Sequence, residues 1–208
     1  MARFIIADDH SIVRRGIREI IQDAYPDALI EEASDAETLL NKVAQQPWDL
    51  VITDVSMPGR SGLDAVQQIR QMNPRLPVIV LSIYPEDQYA VRALKSGASG
   101  YLTKETAPDE LVNAVRQVLQ GKKYITTPVA EKLCDLLSQE AKTPIQLLSD
   151  REFEVFKQIA SGKSLTQIAE QLSLSSTTIS TYRARILEKL DLKTNADLTR
   201  YALEQQLL

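Results

Sequence analysis

Apolar residues along the first 120 positions follow two alternating rhythms. Short unbroken runs occur at residues 4–7, 29–31, 50–53, 78–82 and, more weakly, 100–102. Each is bounded by polar or turn residues, as expected of strands buried on both faces. Between the runs the spacing becomes helical. Val13, Ile17, Ile20 and Ile21 fall at i, i+4, i+7 and i+8, and Leu39, Leu40 and Val43 form a second stripe. Leu63, Val66 and Ile69 form a third, which Pro74 ends. Val91 and Leu94, then Leu111, Val115, Val118 and Leu119, complete five helices. Five strand–helix units predict an α/β domain with a doubly wound, five-stranded parallel sheet covered on both faces.

The rhythm changes after Gly121, which ends the fifth helix. Residues 122–146 lack strand signals. Thr127-Pro128 can open a linker helix with Val129, Leu133, Leu136 and Leu137 on one face, broken at 141–144. From Leu147 onward the pattern is helical throughout. Ser149 with Glu152, and Ser164 with Gln167, have the spacing of capping boxes, and Leu148 with Phe153 forms a hydrophobic staple. Gly162 separates the first two helices, and Ser173-Leu174-Ser175 makes a short turn. A third helix spans 176–190 with Ile179, Ile186 and Leu190 inward, and Thr194 with Asp197 opens a fourth carrying Leu198, Tyr201 and Ala202. The division is therefore 1–121, a linker at 122–146, and a small all-α domain at 147–208.

Charge changes the picture only by its distribution. Residues 1–120 carry a net charge of −5, 121–146 carry +1, and 147–208 carry 0, for −4 overall. No apolar run approaches the ~18 residues of a membrane span, and the N-terminus does not resemble a signal peptide. A cytoplasmic protein without a membrane partner is expected. The single cysteine, Cys134, has apolar neighbours and reads as a buried structural thiol.

Candidate chemistry collects at strand ends. Asp8 and Asp9 follow the first strand and Asp54 the third. With strand order 2-1-3-4-5, the winding reverses between strands one and three, where sites of open α/β sheets form. Three carboxylates converging there need a cation. Hard oxygen ligands suit Mg²⁺, with Asp54 as a nucleophile accepting phosphate. Ser82 ends strand four with a hydroxyl, and Lys104 follows strand five with a point charge for a phosphate oxygen. No Gly-x-Gly-x-x-Gly follows strand one, which argues against a dinucleotide enzyme. Asp54-Val55-Ser56 lacks the second acid of an aspartyl-phosphate phosphatase. His10 reads as a helix-start residue and Trp48 as core or edge packing.

These residues carry a resemblance. Asp8-Asp9, Thr53 to Gly62, Leu81-Ser82 and Gly97 to Lys104 resemble the receiver domain of two-component response regulators over about the first 120 residues. The resemblance implies the flavodoxin-like form of the doubly wound sheet and phosphorylation of Asp54 by a sensor histidine kinase. It implies Mg²⁺ held by Asp9, Asp54 and the Ser56 carbonyl, with Asp8 acting through water. It also implies that Ser82 moves to the phosphate and that Tyr101 turns inward as a switch. The resemblance implies further that Ser56 and Tyr84 flank the phosphate and tune its lifetime. Glu105 stands where many members have proline.

The C-terminal domain reads as a helix-turn-helix, its third helix suited to the major groove of double-stranded promoter DNA. With three apolar positions inward, Ser180, Thr181, Arg183, Ala184, Arg185 and Lys189 are candidates for the outer faces. Ser176 and Thr178 in the first turn join them. Ser164 and Thr166, at the start of the preceding helix, can dock a phosphate. Leu148 to Val155, Ile159 to Gly162, Ile168 to Leu172, Ser175, Thr178-Ile179 and Lys189-Leu190 resemble the LuxR-type helix-turn-helix over 147–204. Together the halves resemble the NarL/FixJ class. In that class the positions of Ser180, Thr181 and Ala184 face bases. Here they are small and uncharged, and Tyr182 stands where histidine is common. The resemblance implies a transcription factor, not an enzyme, that dimerises when active through the helix at 194–204. RNA polymerase is a further candidate partner.

Overall fold

The computed structural model describes residues 1–138 and 144–208, with side-chain surroundings for 1–134 and 144–208. The chain divides into two compact units, Met1–Leu136 and Leu137–Leu208.

The first unit alternates strands and helices: β1 (Arg3–Ala7), α1 (Ser11–Ala24), β2 (Leu29–Ala33), α2 (Ala36–Gln45), β3 (Leu50–Asp54), α3 (Gly62–Met72), β4 (Val78–Ser82), α4 (Glu86–Lys95), β5 (Gly100–Thr103), α5 (Ala107–Leu119) and α6 (Thr127–Ser138). The five strands pair in parallel in the order β2-β1-β3-β4-β5, as the sequence predicts. Interior strands β3 and β4 are buried at every position. Alternate strand residues face opposite layers. Phe4, Ile6, Ile52, Leu81 and Leu102 pack with Ile17 and Ile21 of α1 and Leu111, Val115 and Val118 of α5.

The edge strand β2 departs from the two-sided pattern. Leu29 is exposed, and Glu31 and Glu32 are half-buried in ion pairs, Glu31 with Lys42 at 2.8 Å. Charge on an edge strand discourages pairing with other chains. Trp48 is buried before β3, donates to the Lys42 carbonyl at 3.0 Å and stacks under Arg3, 5.3 Å from its ring centre.

Three details differ from the sequence reading. Leu119 is exposed, one position and thus about 100° around α5 from buried Val118. Cys134 is exposed rather than buried, because α6 turns Val129 inward and Cys134 lies five residues further, about 140° away. The stretch after Gly121 also contains a strand-like residue: Tyr124 forms a parallel bridge with Gly100, its N–H donating to the Ser99 carbonyl at 2.8 Å. The break expected at 141–144 lies mostly outside the described residues.

The second unit opens with a single turn of 3₁₀ helix, Pro144–Leu147. Four helices follow: α7 (Asp150–Ala160), α8 (Leu165–Leu172), α9 (Ser176–Leu190) and α10 (Asn195–Glu204). Ser149/Glu152, Ser164/Gln167 and Thr194/Asp197 all form reciprocal capping boxes. The α8–α9 turn is set by Ser173 in the left-handed region at φ 52°. Phe153, Phe156, Ile159, Ile168, Leu172, Ile179, Ile186, Leu190 and Leu198 are buried, and Tyr201 meets Phe156 edge-on at 6.2 Å. Among the described residues no helix is long and apolar enough to cross a membrane.

Candidate functional site

The C-terminal ends of β1, β3, β4 and β5 bring their polar groups, two from β1 and one from each of the others, to a common crevice. Asp54 is the last residue of β3, not the residue after it, and its backbone pairs in register with Leu81. Asp8 and Asp9 follow β1, Ser82 closes β4, and Lys104 follows β5. One ligand atom from each of Asp8, Asp9, His10 and Asp54 lies within 4.8 Å of the others, a cluster that could hold a metal ion. Lys104 Nζ stands 2.7 Å from both Asp8 Oδ2 and Asp54 Oδ2.

The crevice is dry at its base. Asp8 and Asp54 are 1% and 3% exposed, whereas Asp9 is open to solvent. Burial pushes the Asp54 carboxyl above the usual range. Lys104 opposes this, Asp8 reinforces it, and the Ser56 backbone hydrogen bond opposes it weakly. Burial alone would lower Lys104, but the two carboxylates outweigh it and hold the ammonium above its ordinary value. Asp8 Oδ1 accepts the His10 backbone N–H at 2.8 Å. Asp8 Oδ2 is buried and lies 2.7 Å from the Lys104 ammonium. The Asp8 carboxylate, with those of Asp9 and Asp54, offers the hard oxygen ligands that suit a divalent cation.

Ser82 is fully buried, and its Oγ accepts the Tyr84 N–H at 3.1 Å. Tyr101 already lies inward, its OH donating to the Tyr84 carbonyl at 2.8 Å. Burial pushes the Tyr101 phenol well up, so it remains a donor. The Tyr84 ring stacks on Tyr89 of α4 at 4.4 Å. Ser56 is half-buried beside the site. Among the described residues no peptide bond is cis, the one after Lys104 included.

Two supporting residues were given no role of their own by the sequence reading. Gly62 opens α3 with its N–H on the Val55 carbonyl at 2.8 Å. A Cβ there would sit 1.7 Å from the Asp54 carbonyl oxygen, so only glycine lets the helix approach the strand end. Arg14 on α1 donates to the Asp8 carbonyl at 2.6 Å. Gly62 appears in the sequence only as the last residue of the Thr53 to Gly62 motif, and Arg14 as one of several charges on a helix.

In the second unit, helical phase sorts the candidate contacts. Ile179, Ile186 and Leu190 define the inward side of α9. Opposite them lie Thr181, Ala184 and Arg185, with Ser176 and Ser180 nearer the edge, all exposed. Thr178 and Arg183 are half-buried on the flanks, and Arg183 Nε donates to Asn195 Oδ1 at 2.6 Å. Lys189 is drawn back into its own unit, Nζ 2.6 Å from Glu152 Oε2 and 3.2 Å from the Leu147 carbonyl. Ser164 and Thr166 are exposed at the start of α8.

Residues 4–116 match the response regulator receiver domain, and residues 146–202 match the bacterial regulatory proteins of the luxR family. The chain is 34% identical over its whole length to the response regulator UvrY of Escherichia coli, covering 96% of that protein. It is 35% identical to the oxygen regulatory protein NreC of Staphylococcus carnosus over 99% of both chains. Its structure is similar to RcsB of Salmonella enterica serovar Typhimurium bound to promoter DNA with a phosphomimetic, at TM-score 0.59 and 29% identity over 96% of this chain and 97% of that one. RcsB has also been solved as two dimers bound to two parallel DNAs. With a receiver fold, a helix-turn-helix unit and relatives that match it end to end, the chain belongs to the NarL/FixJ class of two-component response regulators, which join a receiver domain to a LuxR-type DNA-binding domain.

Proposed function

We propose that Asp54 accepts a phosphoryl group from a sensor histidine kinase and that this controls promoter binding by the C-terminal domain. The observation that carries the reading is Lys104 Nζ bridging Asp8 and Asp54 at 2.7 Å beside a carboxylate cluster. An Asp54 carboxylate oxygen attacks phosphorus as the bond to the kinase imidazole breaks. Lys104 exchanges its carboxylate contact for a phosphoryl oxygen. The buried Ser82 hydroxyl is placed to donate to another, releasing the Tyr84 N–H, and Tyr101 follows through the Tyr84 carbonyl. Asp8, Asp9, Asp54 and the Ser56 carbonyl would hold Mg²⁺, for which a cluster of hard oxygen ligands is suited. When bound, the ion neutralises charge that builds up on the transferring group. Phosphate acts by its differential contacts with the two states.

On this reading residues 1–121 are the receiver, 122–146 the linker and 147–208 the DNA-binding domain. The chain is a phosphoacceptor rather than an enzyme, and at most hydrolyses its own aspartyl phosphate. It works in the cytoplasm as a homodimer on two half-sites, as RcsB dimers bind DNA. RNA polymerase belongs to the same reading as a downstream partner. Intact-mass spectrometry after incubation with phosphoramidate and Mg²⁺ tests the chemistry. Wild type is expected to gain one phosphoryl group and Asp54→Asn none; an equal adduct in both would overturn the assignment.

The DNA half rests on the exposed face of α9 with the N-terminus of α8 beside it. Arg185→Ala is expected to weaken promoter binding several-fold and to lower the slope of log affinity against log salt by about 1. Lys189→Ala is expected to leave that slope unchanged, because its ammonium is held by Glu152. Fluorescence anisotropy across a salt series reads both.

A further inference from the structure

We propose that Arg14 is a positioning residue for the acidic site: through the Asp8 carbonyl it fixes the turn that presents Asp8 and Asp9 to a divalent cation. The inference rests on the phosphoacceptor reading above and deepens it. Arg14 Nη1 donates to Asp8 O at 2.6 Å, while Nε donates to Glu32 Oε2 at 3.1 Å. Glu32 is held from its other side by Arg18, Nε to Oε1 at 2.8 Å, and Arg18 Nη2 donates to the Ile30 carbonyl at 3.0 Å. A run of charge-assisted hydrogen bonds thus ties the edge strand β2 to the backbone between the two acids.

The side chains of the turn have their own partners, Lys104 Nζ 2.7 Å from Asp8 Oδ2 and His10 Nδ1 2.7 Å from Asp9 Oδ1, but its backbone has few. The Asp8 N–H reaches the Ala33 carbonyl at 3.2 Å, a long bond. Asp8 Oδ1 is oriented by the His10 N–H, which belongs to the same turn and moves with it. The peptide joining Asp8 to Asp9 is therefore held from outside the turn through its oxygen, and rotation of that peptide would swing Asp9 out of the cluster. Arginine suits this task because its planar fork reaches a carbonyl and a carboxylate at once. Lysine, a single point charge, cannot make both bonds in that geometry. Arg14 is mostly buried, its side chain 16% exposed, so the contact is not an incidental surface pair.

Positioning and simple electrostatics predict opposite signs. Arg14 is a cation close to a cation site, so its charge alone opposes binding, and removing it would tighten Mg²⁺. If it holds the turn, removing it weakens Mg²⁺. Loss of a group that orients metal ligands costs about 10-fold or more in affinity.

The test is calorimetric titration of the full chain with Mg²⁺ alone, paired with unfolding followed by Trp48 fluorescence. Arg14→Met is expected to raise the Mg²⁺ Kd by about 10-fold or more, and Arg14→Lys to stay within a few-fold of Arg14→Met. Glu32→Gln, which loosens the anchor but keeps Arg14, is expected to fall between them and wild type. It decides the matter should Arg14→Met fail to fold. A Kd that is unchanged or tighter in Arg14→Met overturns the inference, even if the unfolding midpoint drops; so does Glu32→Gln at the wild-type Kd when Arg14→Met is insoluble. Wild type that does not bind Mg²⁺ at all would overturn the metal reading of the site together with this inference. Binding by wild type with no change in the variants overturns the inference alone.

Discussion

Lys104→Met is expected to destabilise the first unit by about 3 kcal/mol or more at neutral pH without metal, because it removes one partner of a buried ion network. The ammonium lies 2.7 Å from two carboxylates that are 1% and 3% exposed. Methionine fills similar space but leaves both acids in a dry crevice with no countercharge. Burial already raises the Asp54 carboxyl above its ordinary value, Lys104 pulls it down and Asp8 pushes it up. Taking away Lys104 raises it further. An acid whose folded value is raised binds its proton more tightly folded than unfolded, so stability falls as pH climbs above the unfolded value of 3.8. The deficit of Lys104→Met should therefore be small near pH 4 and grow towards neutrality. Urea titrations followed by Trp48 read this cleanly, since the one tryptophan is buried in the first unit. A deficit that does not change with pH would show that Lys104 is not the countercharge of these acids.

Gly62→Ala is expected to be comparably damaging through sterics alone. The added Cβ would meet the Asp54 carbonyl oxygen at 1.7 Å, its carbon at 2.7 Å and Val55 Cα at 3.1 Å. All three are main-chain atoms, so no side-chain rotation relieves the clash. Forcing atoms into a well-packed region costs about 1–3 kcal/mol when rotamers can adjust, and more is expected here. The displaced segment is the end of β3 that carries the acceptor carboxylate. Phosphoryl acceptance should drop along with stability, because misplacement by about 1 Å can reduce a rate about 100-fold. Denaturation and the mass assay together read this, and an alanine variant with wild-type values in both would show that α3 can move away freely.

Much of this was legible from periodicity. The five strands and all four C-terminal helices follow from apolar spacing and capping residues, because each buries one defined face, whereas the strand order comes with the flavodoxin-like form that the family resemblance implies. Asp8, Asp54 and Lys104 were legible because strand ends of a doubly wound sheet meet at one crevice. Contacts set by tertiary packing were not. Lys189 looks like a cation on a recognition helix until Glu152 is seen 2.6 Å away. Cys134 looked buried because its sequence neighbours are apolar, whereas its direction is set by the face that α6 turns inward. Arg14 has no local mark at all, since its partners are a backbone oxygen and a glutamate 18 residues away.

The bridge between Tyr124 and Gly100 bears on where the chain can be divided. β5 is the last strand of the sheet, so its outer edge would otherwise offer open N–H and C=O groups. Tyr124 takes the Ser99 carbonyl, its ring covers Gly100, and its OH reaches Glu110 Oε2 at 2.7 Å. A fragment that stops at Gly121 discards this cover and presents a bare strand, the template on which chains stack into aggregates. A fragment carried through Leu136 keeps it, and also keeps Thr126 on Glu86 at 2.7 Å. The last turns of chain before the DNA-binding half thus act as a selvedge for the sheet, protecting the receiver from its own kind.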